Sequence, residues 1–247
     1  MFVLYWTKKI RINIKKPKFN TELVIGIDAS NLRRGGGRTH LIEFLENIKN
    51  YNHEYHKIIV WGQPETLSLI IDFEGLNKKS PSLLNGGLLT RSLWQKFFLS
   101  KSARKEKCNV LLIPGGNYSG NFFPVVTMCR NMLPFEWREL FRYGISFLTV
   151  KLLLLRLFQS NSFKRSNGII FLTEHAKKRI IQIIGTLSGA PKVIPHGLNQ
   201  IFNNRPKIQK SISYYNIKYP FKIIYVSIID EYKHQCSIIE AISNLRN

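Results

Sequence analysis

Acidic residues are scarce in this 247-residue chain: 15 Asp and Glu stand against 37 Lys and Arg, a formal net charge of +22 at pH 7. A field of that sign draws polyanions, whether nucleic acid, an anionic lipid surface or a phosphorylated substrate. A Lys- and Asn-rich solvated surface accounts for the same number, and both readings stay open. Cysteine is also sparse. Cys108, Cys129 and Cys236 lie far apart with no CxxC spacing, which favours a reducing compartment with free thiols over a disulfide or zinc framework. No apolar run reaches the roughly 20 residues of a membrane-spanning helix. The opening Met1–Trp6 stretch is too short for the apolar region of an export signal, and its charges follow it, so a cytoplasmic location is expected. Several motifs are missing as well. The glycines at 35–37 spell neither GxGxxG nor a P-loop lysine motif, Ser119 is not in a GxSxG elbow, and His53 and His56 lack spaced partners for a metal.

What is present is globular: 44% hydrophobic residues and 21% charged. Short apolar, often β-branched runs predict strands at 23–28, 57–61, 109–113, 124–129, 168–172, 192–194 and 221–227. Helical patterns fall at 38–50, 64–72, 91–106, 136–158, 174–184 and 234–246. The first carries Leu41, Ile42, Phe44, Leu45 and Ile48 on one side and Glu43, Glu46 and Lys49 on the other. This alternation predicts an α/β fold with right-handed crossovers and a doubly wound parallel sheet. The expected organisation is a basic extension (1–20), a main Rossmann-like domain (21–198), a polar linker (199–220) and the start of a second unit (221–247). Basic residues concentrate in the first twenty positions and again at 151–180, where seven Lys and Arg face only Glu174.

Bulky apolar side chains from Tyr143 to Phe158, interrupted by Lys151 and Arg156, fit either a core helix or one lying in a membrane interface. Gly35, Gly36 and Gly37 stand between a strand and a helix, where backbone can approach a ligand and helix N–H groups meet phosphate. Trp61, Trp94 and Trp137 read as packing residues. Phe122-Phe123, beside Asn117 and Asn121, fit either a stacking platform for a sugar acceptor, with Phe122 and Asn117 the candidates, or a loop pair packed on the sheet.

The run Gly26-Ile27-Asp28-Ala29-Ser30-Asn31-Leu32, with Gly35-Gly36-Gly37 and Thr39-His40-Leu41, resembles the start of a family 4 glycosyltransferase of the GT-B fold. Four later blocks follow in the matching order: Asn131 to Glu136, Phe171 to Glu174, Val193 to Gly197, and Tyr225 to Ser227 with Tyr232-Lys233-His234. The resemblance covers roughly residues 22–247. It implies retaining transfer of a sugar from a nucleotide-diphosphate donor, without bound metal or other cofactor, to a saccharide or lipid-linked acceptor. It further implies that Gly35, Gly36, Gly37, His196, Gly197 and Lys233 face the donor or its phosphates. Arg130 and Asn131 occupy the stretch where many relatives carry a mechanistic His. Ile228 stands where the lysine's Arg partner is usual, and the E-x7-E pair of the second lobe is not reached before Asn247. Glu46 and Glu54 match that spacing only by coincidence.

The first expectation is therefore the acceptor-binding lobe of a glycosyltransferase in cell-surface polysaccharide or lipopolysaccharide synthesis. It would sit at the cytoplasmic face of an anionic membrane, incomplete as this chain, with a separate chain able to supply the second lobe. The rival is a non-catalytic remnant of such an enzyme. A nucleic-acid-binding module is disfavoured, because no recognition-helix, RNP or OB signature accompanies the spread-out charge.

Overall fold

The structure, a computed structural model, describes residues 23–50, 55–199, 202–203 and 205–245. The basic extension at 1–20, His53 and Glu54 lie outside the described residues. Seven parallel strands form one sheet in the order β3-β2-β1-β4-β5-β6-β7. They are β1 (Val24–Asp28), β2 (Lys57–Trp61), β3 (Leu76–Lys79), β4 (Val110–Ile113), β5 (Val125–Cys129), β6 (Gly168–Phe171) and β7 (Ala190–Val193). The helices are α1 (Gly35–Ile48), α2 (Pro64–Leu67), α3 (Leu88–Phe97), α4 (Leu99–Lys105), α5 (Trp137–Leu140), α6 (Phe147–Arg165), α7 (Glu174–Ile184) and α8 (Gln235–Asn244). The architecture is α/β and doubly wound, Rossmann-like, as the alternating pattern predicts.

The period of two along each strand sorts the core into two layers. Ile25, Ile27, Ile58, Val60, Leu112, Met128 and Ile170 meet Leu41, Leu45 and Ile48 of α1 on one face. On the other, Val24, Ile59, Trp61, Leu111, Ile113 and Val125 pack against Trp94 of α3 and Leu99 and Ala103 of α4. Further along that face Cys129, Ile169 and Phe171 meet Phe163 of α6 and Ile180 of α7. Each fully buried large side chain contributes roughly 1.5–3 kcal/mol relative to exposure. Gly26 lies where β1 is most crowded: an added Cβ would stand 2.9 Å from the Trp61 ring and 3.1 Å from the Cys108 sulfur.

Several expected elements differ. Gly35-Gly36-Gly37 form the first turn of α1 rather than a loop before it. Gly35 enters the helix at φ +65, the left-handed conformation that side chains rarely take. The predicted helix 91–106 is two helices, α3 and α4, meeting at Phe98. The predicted helix 136–158 is broken at Gly144, with φ +59, and α6 restarts after a Ser146 cap that accepts a hydrogen bond from the Thr149 N–H. β3 carried no apolar signal because it is an edge strand. Its Lys78 pairs with Asp72 at 2.8 Å, and its Lys79 shares Glu106 with Lys57.

The largest correction concerns 221–227. No strand forms there; Ile224 is 83% and Val226 90% exposed. A strand with apolar residues on both sides needs neighbours on its edges and its faces. The seven-stranded sheet ends at β7 without admitting it. The tail is instead fastened by Tyr143, whose hydroxyl donates to Asp230 at 2.5 Å, and by His234 beside Glu139 at 3.4 Å.

These placements separate two substitutions of similar chemistry. Phe163→Ala removes a ring with no exposure that stacks on Phe135, and should cost about 3–5 kcal/mol in urea unfolding. Ile224→Ser should change stability by no more than ~0.5 kcal/mol. A multi-kcal loss at Ile224 would place 221–227 inside a packed layer after all.

Candidate functional site

In an open parallel sheet, ligands bind outside the carboxyl ends of the strands, where the winding reverses. Here β1 leads outward through β2 to β3, while its other neighbour β4 leads the opposite way to β7. The crevice opens between the ends of β1 and β4. Asp28 closes β1 and is buried. Its carboxylate accepts hydrogen bonds from Gln95 Nε2 at 2.5 Å and from the Ser30 N–H at 3.0 Å. Burial raises its pKa; the Ser30 and Gln95 hydrogen bonds and the Arg91 charge act against that rise. Gln95 also donates to the Asn117 carbonyl at 2.7 Å, so α3 ties the two strand ends together. The Asn117 side-chain oxygen is buried there without a hydrogen-bond partner.

A cationic cluster stands at the amino end of α1. Arg130, directly after β5, lays its guanidinium against Gly37: a Cβ on that glycine would fall 2.5 Å from Nη2 and 3.0 Å from Nη1. Only a glycine admits this approach. Arg130 Nη1 is buried and lacks a hydrogen-bond partner, and burial lowers the pKa of the guanidinium. The His40 ring, one turn further along α1, lies 4.5 Å from the His196 ring, centre to centre. His196 follows β7, and its segment is held to α1 by Asn199, which donates to Glu43 at 3.1 Å. Burial, then the charges of His196 and Arg130, push His40 down to about 4. His196 is lowered too, by burial and by Arg130. Arg130 and the α1 amino terminus thus supply positive potential with unfilled donor capacity, and both imidazoles are held neutral near pH 7. An anion lying among them would reverse the cost: it would pair with Arg130 and favour the protonated imidazoles.

A second cationic feature lies on the β2 side of the crevice, a cavity of about 430 Å³ lined by Asn31, Arg33, Arg34, Gln63 and Arg91. Arg91 donates to the Ser30 carbonyl at 3.2 Å and to Asn31 Oδ1 at 3.0 Å. Arg33 donates to Gln63 and, at 3.1 Å, to the Gly86 carbonyl.

The expected site residues divide accordingly. Gly35, Gly36, Gly37, Arg130, His196 and Asn117 come to the carboxyl edge of the sheet, and Gly197 follows His196 in an exposed segment. Asn131 is exposed and its Oδ1 accepts the Leu133 N–H at 3.0 Å, so its side chain shapes a local turn. Phe122 is only 5% exposed and packs in the core beside Tyr118, which corrects its assignment as an acceptor platform; the exposed ring is Phe123. Lys233 lies in the short helix Glu231–Lys233, its Nζ 4.6 Å above the Tyr232 ring. Trp61 and Trp94 are core residues, whereas Trp137 is half exposed and stacks on Phe141 with Arg156 above it. Sequence reasoning gave no role to His40, Arg33, Arg34 or Arg91. The Arg33-Arg34 pair before the glycines was a readable signal, but Arg91 is drawn in from sixty residues away.

Comparison with protein-family models and with curated proteins returns no match for this chain.

The imidazoles set a pH dependence. His40 binds its proton more weakly folded than unfolded, so the unfolded chain takes up more protons between the ordinary value near 6.5 and about 4. Stability should be fully present above that window and fall as pH drops through it. His40→Gln should flatten this fall in urea midpoints measured from pH 7 to 4. An unchanged slope would show that His40 titrates normally.

Proposed function

We propose that the seven-stranded unit is the acceptor-side lobe of a retaining, nucleotide-sugar-dependent glycosyltransferase. It would act in the assembly of a cell-surface polysaccharide or lipopolysaccharide. The observation that carries this reading is Arg130, its buried Nη1 unpartnered, pressed against Gly37 at the amino terminus of a 14-residue helix. Departure of a nucleoside diphosphate loads negative charge onto the leaving oxygens. Pre-placed cations and helix N–H groups stabilise that charge without reorganising when it forms. Arg130 is the group we assign to this task, with the backbone of Gly35 to Gly37 beside it. His40 and His196 accept protons once the anion arrives. Asn117, at the end of β4, offers its free side-chain oxygen to a hydroxyl of the acceptor.

Further donor contacts would come from the second unit. Ile223, Ile224, Val226 and Ile229 stand exposed, which favours a reading in which further polypeptide covers this stretch and carries donor contacts together with Lys233.

The α6 surface supports placement at an anionic membrane. Among the described residues no helix is long and apolar enough to cross a bilayer. Yet Phe147, Val150, Leu154, Leu157 and Phe158 are exposed on α6 in company with exposed Lys151, and Trp137 and Phe141 stand out nearby. Such a surface suits the interface between head groups and acyl chains. Basic residues close to an anionic leaflet add about 1 kcal/mol each.

Two measurements test these assignments. In calorimetric titration with UDP-, GDP- and ADP-glucose, one nucleotide class should bind saturably, and Arg130→Gln should weaken it by roughly tenfold or more. Gly37→Ala should do the same while leaving the fold intact, because the methyl group displaces only the flexible end of Arg130. Silence toward all three nucleotides, with the chain folded, would remove the donor role of this edge. In co-sedimentation, the chain should follow phosphatidylserine-containing vesicles more than phosphatidylcholine vesicles, and the double variant Phe147→Ser/Phe158→Ser should lose that preference. Retention in the double variant would reduce the effect to charge alone.

A further inference from the structure

We infer that the cavity between the ends of β1 and β2 is a second anion site, separate from the Arg130 cluster, built for a phosphomonoester or diphosphate. Three arginines line it, and no Asp or Glu is among its lining residues. The acid closest to neutralising them, Asp28, is buried beneath and already engaged by Gln95 and Ser30. Two of the arginines are also fixed rather than free to part. Arg91 is anchored to Ser30 and Asn31, and Arg33 to Gln63 and Gly86. Backbone carbonyls hold these like charges together: desolvation and then the Arg33 charge depress Arg91, and the Asp28 charge acts against them. Guanidinium groups present paired donors whose planar geometry matches phosphate oxygens. Arg34, exposed at the start of α1 and without a side-chain cap bond, is the cation with freedom to close on a ligand.

The cavity, about 430 Å³ and open to solvent, has room for more than a bare phosphate. Asn31 and Gln63 offer amide groups for the remainder, such as the hydroxyls of a sugar phosphate. The site stands whether or not the chain transfers a sugar. It requires only a phosphate ester, which can arrive in solution or on a lipid.

The test uses the full chain and two probes, inorganic pyrophosphate by calorimetry and phosphatidic acid vesicles by co-sedimentation. Arg34→Gln is the probe variant because its side chain is exposed; Lys101→Gln, on the exposed side of α4, is the control for an equal loss of charge. Arg34→Gln should weaken binding of at least one probe by roughly tenfold, with Lys101→Gln close to the parent. Loss for pyrophosphate alone assigns the cavity to a soluble ester; loss for the vesicles assigns it to a lipid headgroup. Arg130→Gln should leave the Arg34-dependent component in place, which separates this site from the donor reading. If Arg34→Gln and Lys101→Gln behave alike toward both probes, the attraction is general surface charge and the site does not exist.

Discussion

Burial of β1 on both faces is the constraint from which the rest of the molecule follows. A parallel strand has no hairpin partner, so its neighbours must arrive by crossovers, and helices on those crossovers cover the two faces. β1 pairs with β2 on one side and β4 on the other, Ile25 standing opposite Ile58 and Val110. The chain leaves β1 over one face through α1 and returns to β4 over the opposite face through α3 and α4. The winding reverses between β1 and β4, and the crevice at their carboxyl ends is a consequence of connectivity rather than of any one side chain. Asp28 ends the strand inside that crevice. A carboxylate so placed is tolerable only because Ser30 and Gln95 satisfy it and Arg91 lies near, and this fixes α3 and Asn117 in turn.

The same edge collects the cations. Arg130, Arg33, Arg34 and Arg91 arrive from three different crossovers, while most of the other basic residues among the described residues are exposed. A net charge of +22 on its own describes a field, not a site. What turns charge into a site is restraint: Gly37 lets Arg130 come in against α1, and carbonyls hold Arg33 and Arg91 where repulsion would spread them. Exposed lysines such as Lys101 contribute to the field without forming a pocket.

Much of this was legible in the residues, and the divide between what was and what was not is physical. β2 and α7 fall where periodicity put them, because runs such as Ile58-Ile59-Val60 and the Ala176, Ile180, Ile184 stripe meet a uniform environment. β3 was hidden since a half-buried edge strand needs no apolar run. The 221–227 segment read as a strand by the same local signal as β2, yet pairing is a property of neighbours that local sequence does not contain. In the site, Gly35 to Gly37, Arg130 and His196 were readable through their order along the chain. The Phe122 assignment failed on facing: two adjacent phenylalanines in one loop point opposite ways, and Phe123 is the outward one.

His40 shows how the two cationic features differ in kind. Its imidazole is kept neutral by burial and by its charged neighbours, so it adds no standing charge near pH 7 and carries capacity for one. An anion among Arg130, His40 and His196 would be met by a fixed cation and two groups that become cations in response, which grades attraction with the ligand's own charge. The Arg33, Arg34 and Arg91 cavity has no such reserve, since guanidinium groups stay charged throughout the accessible pH range. Affinity at the first site should therefore rise as pH falls toward the His40 value of about 4, whereas the second should follow only the ligand's ionisation. Two anion sites on one strand edge, one responsive and one constant, would let a single crevice distinguish a charge that changes during reaction from one that persists.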